Sequence, residues 1–266
     1  MKRIVPGLML AGGWLLLLLN GSLPLFWLVM VVVALVGAYE YVKMAVPRRS
    51  NDIDFAILSP LLALPVILSG IWHEDGVSSG LFFGVLLSMI YVLFRYSSFD
   101  DGFLVMARLV FGTVYVGFCM SHLVLLWLLP EGNFWLVILV AVTAGSDSGA
   151  YYVGKKFGRR KLCPSVSPKK TVEGACGGIF FGGLAAILCA LLLLQEINWI
   201  VLLPMAMILT GVGILGDLCE SIVKRGTGTK DSGTLLLGHG GILDRIDSLL
   251  LAAPFLYYMQ IIAGYV

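Results

Sequence analysis

The stretch LFWLVMVVVALVGAYEYVKMAVPRR, residues 25–49, sets the fold class: an apolar run over roughly 25–42 stops at Lys43, Arg48 and Arg49. About 18 or more apolar residues are enough for one helix to cross a bilayer. Comparable runs recur at roughly 4–20, 55–72, 79–95, 103–129, 134–153, 174–195, 197–223 and 246–265. Helix is the expected form of each, because hydrocarbon offers backbone N–H and C=O groups no outside partner. The expectation is therefore an all-α, polytopic integral membrane protein with about nine transmembrane helices.

Composition leads to the same place. Of 266 residues, 59% are hydrophobic and 13% charged, and the mean hydropathy is +0.96. Soluble domains carry roughly 25% charged residues. A single soluble core cannot hide so much apolar surface, which excludes the soluble enzyme classes, and no nucleic-acid partner is expected. The first run follows Lys2 and Arg3 but has no small-residue cleavage site after it, so it reads as a retained span rather than a signal peptide. Cys119, Cys163, Cys176, Cys189 and Cys219 show no CxxC or paired spacing, so neither disulfides nor zinc are expected.

The net charge of +2 is uninformative as a total, but its distribution is not. With the N-terminus inside, alternating spans place all 18 Lys and Arg residues on the inner side. The outer loops keep Glu131, Glu196 and the cluster His73, Glu74, Asp75. This asymmetry follows the positive-inside rule and predicts an inside N-terminus and an outside C-terminus. Two parts are expected. Residues 1–130 form scaffold helices that could supply dimer contacts, and residues 131–266 form a catalytic region with inner-face loops.

Three polar clusters stand at inner ends of spans. In AGSDSGAYYVGKKFGRRKL, Asp147 lies inside the sixth apolar run. A carboxylate there costs roughly 2.5–3.5 kcal/mol on insertion scales, so it is either functional or paired with a neighbour. In SVSPKKTVEGACGG, residues 165–178, Pro168 breaks any helix, and Thr171 is placed to cap the next one. The free amides of that helix start would face the same side as Lys169 and Lys170, a geometry suited to phosphate. Lys169 and Lys170 read equally as membrane-edge anchors, and that reading is stronger for Lys155, Lys156, Arg159, Arg160 and Lys161.

The third cluster starts in GVGILGDLCESIVKRGTGTKDSG. Asp217, Glu220, Ser221 and Lys224 share one helix face, just after Gly211, Gly213 and Gly216, which favour close packing. A carboxylate face at this depth suits Mg²⁺, which takes one or two protein carboxylates and leaves its other positions to water and substrate phosphates. Glu220 could instead pair with Lys224, an explanation that does not reach Asp217. Further on, Gly238, Gly240 and Gly241 permit close backbone approach, while Asp244 and Asp247 open the ninth helix and one of them can be its cap. His239 could bind phosphate, carry a proton or satisfy a loop carbonyl.

Taken together, S-I-V-K-R-x4-K-D-x-G-x-x-L-x-x-H-G-G-I-x-D-R-I-D, Ser221 to Asp247, resembles the signature of the phosphatidate cytidylyltransferases, or CDP-diacylglycerol synthases. The SPKKTVEGACGG and DSGAYYVGKKFGRRKL segments are similar to that family too, so the resemblance is strong over roughly 145–250. Leu237 departs from it, since the family usually has Pro or Gly two positions before the histidine. The resemblance implies transfer of a cytidylyl group from CTP to phosphatidic acid, releasing pyrophosphate, by a Mg²⁺-dependent homodimer in the cytoplasmic membrane with its active site facing the cytoplasm.

The positions matching the family's metal site are Asp217 and Asp244. They lie at the end of one span and the start of the next, where a hairpin can bring them together. A second cation on the same carboxylates would suit a paired-metal arrangement. Lys169, Lys170 and His239 join these two as the expected catalytic set. Ser167, Lys224, Arg225, Lys230, Asp231, Gly240, Gly241, Arg245, Asp147 and Glu173 are the expected substrate and phosphate contacts. Asp247 reads as a helix cap.

Two other classes of protein compete. A secondary transporter would hold intramembrane acids near the midplane between repeats, whereas these acids sit at span ends and no internal repeat is visible. A CDP-alcohol phosphotransferase would need a D-G-x2-A-R…G-x3-D-x3-D pattern that is absent from the sequence, and a lipid kinase would prefer ATP over CTP.

Overall fold

The computed structural model describes residues 4–46, 52–233 and 240–264. The expected spans form as helices: α1 (Ile4–Asn20), α2 (Leu23–Ala45), α3 (Asp52–Phe94), α4 (Gly102–Gly112), α5 (Cys119–Leu128), α6 (Gly132–Phe157), α7 (Val172–Leu193), α8 (Trp199–Gly226) and α9 (Leu243–Ile262). Among the described residues, six helices are long and apolar enough to cross a membrane, and α4 and α5 count as one of them. The protein is an all-α polytopic membrane protein.

One of the six cannot be a single rod. At 1.5 Å per residue, the 43 residues of α3 would extend about 64 Å, twice the roughly 30 Å of hydrocarbon. The helix is broken at Trp72 and His73, and His73 sits at φ 53°. A Cβ on Gly76 would fall 2.1 Å from the Leu68 carbonyl oxygen, and one on Gly84 2.7 Å from that of Leu61. The two arms of α3 therefore lie antiparallel with their backbones in contact, which only glycine on one face permits.

The chain divides into two compact units. One comprises residues 1–21, 126–222 and 247–266, and the other residues 22–125 and 223–246. In the first, α6 and α7 meet along glycines of both helices: Cβ atoms on Gly149 and Gly174 would lie 2.7 and 2.9 Å from the carbonyl oxygens of Gly177 and Ala150. Gly216 of α8 meets the backbone of Asp247 just as closely, with 2.6 Å to its carbonyl oxygen, whereas Gly211 faces open space. In the second unit, α2, α3 and the π-helical turn Thr113–Phe118 between α4 and α5 enclose Tyr41, Leu58, Leu62 and Val116.

A short antiparallel ribbon, β1 (Lys161–Cys163) with β2 (Ser167–Thr171), is the departure from helix among the described residues. It occupies the segment where Pro168 removes a helical donor. Thr171 ends β2 and caps α7, its hydroxyl accepting from the N–H of Gly174 at 3.1 Å. The ribbon thus delivers Lys169 and Lys170 beside the start of α7, as the sequence led one to expect.

Candidate active site

In the first unit the charged residues converge from three separate stretches of sequence. Lys170, from β2, places its ammonium nitrogen 2.5 Å from a carboxylate oxygen of Asp217 on α8. Asp147, from α6, is close enough to feel both charges. Glu173, in the first turn of α7, accepts the N–H of Arg159 at 3.0 Å and that of Arg160 at 3.2 Å, which folds the basic turn after α6 onto the helix start. Lys169 is exposed on the ribbon, and Ser167 pairs across it with Cys163.

The second unit holds the charged signature. Lys224, at the end of α8, donates to Asp244 Oδ1 at 2.8 Å. The N–H groups of Gly241 and Ser232 donate to Asp244 Oδ2 at 2.8 and 3.1 Å. Asp244 stands two residues before the apolar run that begins near residue 246. Burial opposes its charge, but the Lys224 ammonium and the two amides outweigh that and hold the carboxyl at about 2. Gly240 adopts φ 79°, and a Cβ there would fall 2.5 Å from Asp244 Oδ2, so this position requires glycine twice over.

Arg225, Lys230, Asp231 and Arg245 are exposed. His239 and Leu237, both singled out from the sequence, lie outside the described residues. Asp247 accepts the N–H of Ser248 at 2.6 Å and, in the first unit, runs beside Gly216, the neighbour of Asp217.

Sequence reading missed one residue. Glu40, near the end of α2, is 3% exposed. It accepts from the N–H of Ile242 at 3.1 Å, the N–H of Leu243 at 3.0 Å and the hydroxyl of Ser232 at 3.2 Å. The signal was present, since a carboxylate inside an apolar run marks a functional position by default.

The donors available here are hard carboxylate oxygens. No group of three or more His, Cys, Asp or Glu side chains among the described residues closes around one point, as a dedicated protein cage would need. One or two carboxylates, with the other positions left to water and substrate phosphates, commonly hold Mg²⁺, so the carboxylate donors fit that ion.

The sequence model of the Cytidylyltransferase family matches residues 1–262. The chain belongs to that family. It is 35% identical over 268 residues to the phosphatidate cytidylyltransferase of Bacillus subtilis (strain 168), covering 97% of this chain and 96% of that protein. The protein of the same name from Staphylococcus aureus (strain COL) is 36% identical over 63% of this chain and 62% of its own. Its namesake from Haemophilus influenzae is 41% identical over 48% and 46%. Family membership accords with the two lysine–aspartate pairs: Lys170, Lys224 and Asp244 lie in the segments that carried the resemblance, and Asp217 stands four residues before the signature.

Proposed function

We propose that the protein is a CTP:phosphatidate cytidylyltransferase that makes CDP-diacylglycerol and pyrophosphate for phospholipid synthesis. The observation that carries this reading is the Lys170–Asp217 pair, which joins residues 47 apart in sequence, one in the family-like SPKKTVEGACGG segment and the other four residues before the family-like signature. The full-length likeness to the Bacillus subtilis protein supports it.

Both substrates are polyanions, so charge neutralisation is the principal task. The lipid phosphate is already anionic near neutral pH and needs little help from a base. One of its oxygens attacks the α-phosphorus of CTP, and the bond from that phosphorus to the β-phosphate bridging oxygen breaks in line, releasing pyrophosphate. Lys170 and Lys169 offset charge from the ribbon, and Lys224, Arg225, Lys230 and Arg245 do so from the signature. His239 serves first as a phosphate binder. Asp217 and Asp244 are the proposed ligands of Mg²⁺, on the strength of the signature. When bound, that ion would draw charge from the phosphoryl oxygens.

The proposed topology has nine crossings, counting each arm of α3, with the N-terminus in the cytoplasm and the C-terminus outside. The active site then faces the cytoplasm from the inner membrane. CTP arrives from water, and the lipid tails enter sideways between helices. A homodimer is the proposed assembly. Purified protein given CTP, phosphatidic acid and Mg²⁺ is expected to release pyrophosphate, and chelation of the metal is expected to stop it. Equal rates with ATP, or substrate flux into proteoliposomes without nucleotide consumption, would refute the proposal.

A further inference from the structure

Glu40 belongs to none of the motifs that carry the family signature, yet it organises the backbone of one. A buried carboxylate is costly unless donors surround it. Glu40 meets that demand by serving as the cap of α9: Oε1 accepts from the N–H of Ile242, and Oε2 from the N–H of Leu243 and the hydroxyl of Ser232. Helix starts usually take such a cap from an adjacent residue. Here the cap comes from 203 positions earlier in the chain.

The fit is tight. A Cβ on Gly241 would fall 2.3 Å from Glu40 Oε2, and one on Gly233 would fall 2.4 Å from Oε1. Ser232 relays the contact onward. Its hydroxyl donates to Glu40 and accepts from the N–H of Asp244 at 3.3 Å, while its own N–H donates to the Asp244 carboxylate. Thr229, bonded to Met44 Sδ at 3.4 Å, fastens the same segment to α2 one turn further along.

We infer that Glu40 is a positioning residue of the active site: its buried carboxylate fixes Ser232 and the 241–243 turn, and through them the orientation of Asp244. It touches no substrate. The catalytic consequence rests on the cytidylyltransferase reading, whereas the clamp itself does not.

The clamp needs both carboxylate oxygens as acceptors. Glu40→Gln keeps the shape but turns an NH₂ group toward backbone donors, so one contact becomes donor against donor. Glu40→Asp keeps the acceptors but withdraws them by one methylene.

The full-length protein in lipid nanodiscs gives the test. Relative to wild type, Glu40→Gln is expected to lower kcat about 10–100-fold, the range seen when partners that orient ligands are removed, with KM for CTP little changed. Glu40→Asp should recover part of the loss. Ser232→Ala should act in the same direction, and the double variant should lose less than the product of the singles. Asp54→Asn breaks the 3.0 Å Arg95–Asp54 bridge of the same unit and is expected to lower melting temperature without lowering kcat.

Amide exchange at Gly241–Asp244, which needs no turnover, is expected to accelerate in Glu40→Gln. Wild-type kcat in Glu40→Gln, or unchanged exchange at those amides, overturns the inference. A wild-type protein that does not turn over CTP refutes the cytidylyltransferase reading instead, and the exchange rates then decide the clamp.

Discussion

Lys170–Asp217 and Lys224–Asp244 are the same chemical pair in two settings. In the first, the side chains are 24% and 31% exposed, and the lysine is the partner that lies closest. In the second they are 15% and 13% exposed, and Asp244 also accepts two backbone N–H groups. A carboxylate offers about four acceptor sites, so Asp244 has most of its capacity taken by Lys224 and two backbone N–H groups. Asp217 keeps capacity in reserve. An accessible ion pair is worth about 0–1 kcal/mol, so its lysine can be handed to a phosphate at little cost to the fold. The difference separates a carboxylate that is free to exchange partners from one whose direction is fixed.

Removing each lysine in turn separates the two settings. A hydrogen bond to a charged group contributes about 1.5–3 kcal/mol, so losing a phosphate contact in Lys170→Met is expected to cut kcat/KM by roughly 10–100-fold. Its melting curve should hardly move, by at most about 1 kcal/mol of stability. Lys224→Met should also impair turnover, but it leaves Asp244 half-buried without its cation, so a loss of roughly 1–3 kcal/mol in stability should accompany it. Activity and thermal denaturation measured on both variants decide the matter. Equal stability losses would erase the distinction. A smaller effect sharpens the first setting: Thr171→Ala removes the cap that orders the start of α7 beside Lys170, and should cost about 0.5–2 kcal/mol in a melting experiment.

Much of this was legible in the sequence. Apolar runs gave the helices nearly to their ends, because a continuous apolar run of that length satisfies its backbone in lipid as a helix. Pro168 marked the break before α7, and Thr171 marked its cap. What stayed hidden was contact across sequence distance. Nothing in the spacing says that Lys170 meets Asp217, that the arms of α3 touch through Gly76, Gly80 and Gly84, or that Glu40 serves a helix beginning at Leu243. Glu40 was readable as a buried charge, but its partners are backbone amides, which leave no trace in residue identity. Lys224 also bonds Asp244, 20 residues further along the chain. A turn of chain brings a second carboxylate within reach, and helical spacing alone cannot register that.

The role proposed for Asp217 is that of the carboxylate open to metal and substrate. It is tested most directly by pyrophosphate release from CTP and phosphatidic acid, followed against Mg²⁺ concentration in wild type and Asp217→Asn. Wild type should turn over only with the metal. Asp217→Asn should lose roughly 10²–10³-fold in kcat, the scale of removing one electrostatic stabiliser of a transition state, while keeping its melting temperature. Near-wild-type turnover by Asp217→Asn at the same Mg²⁺ would contradict the assignment.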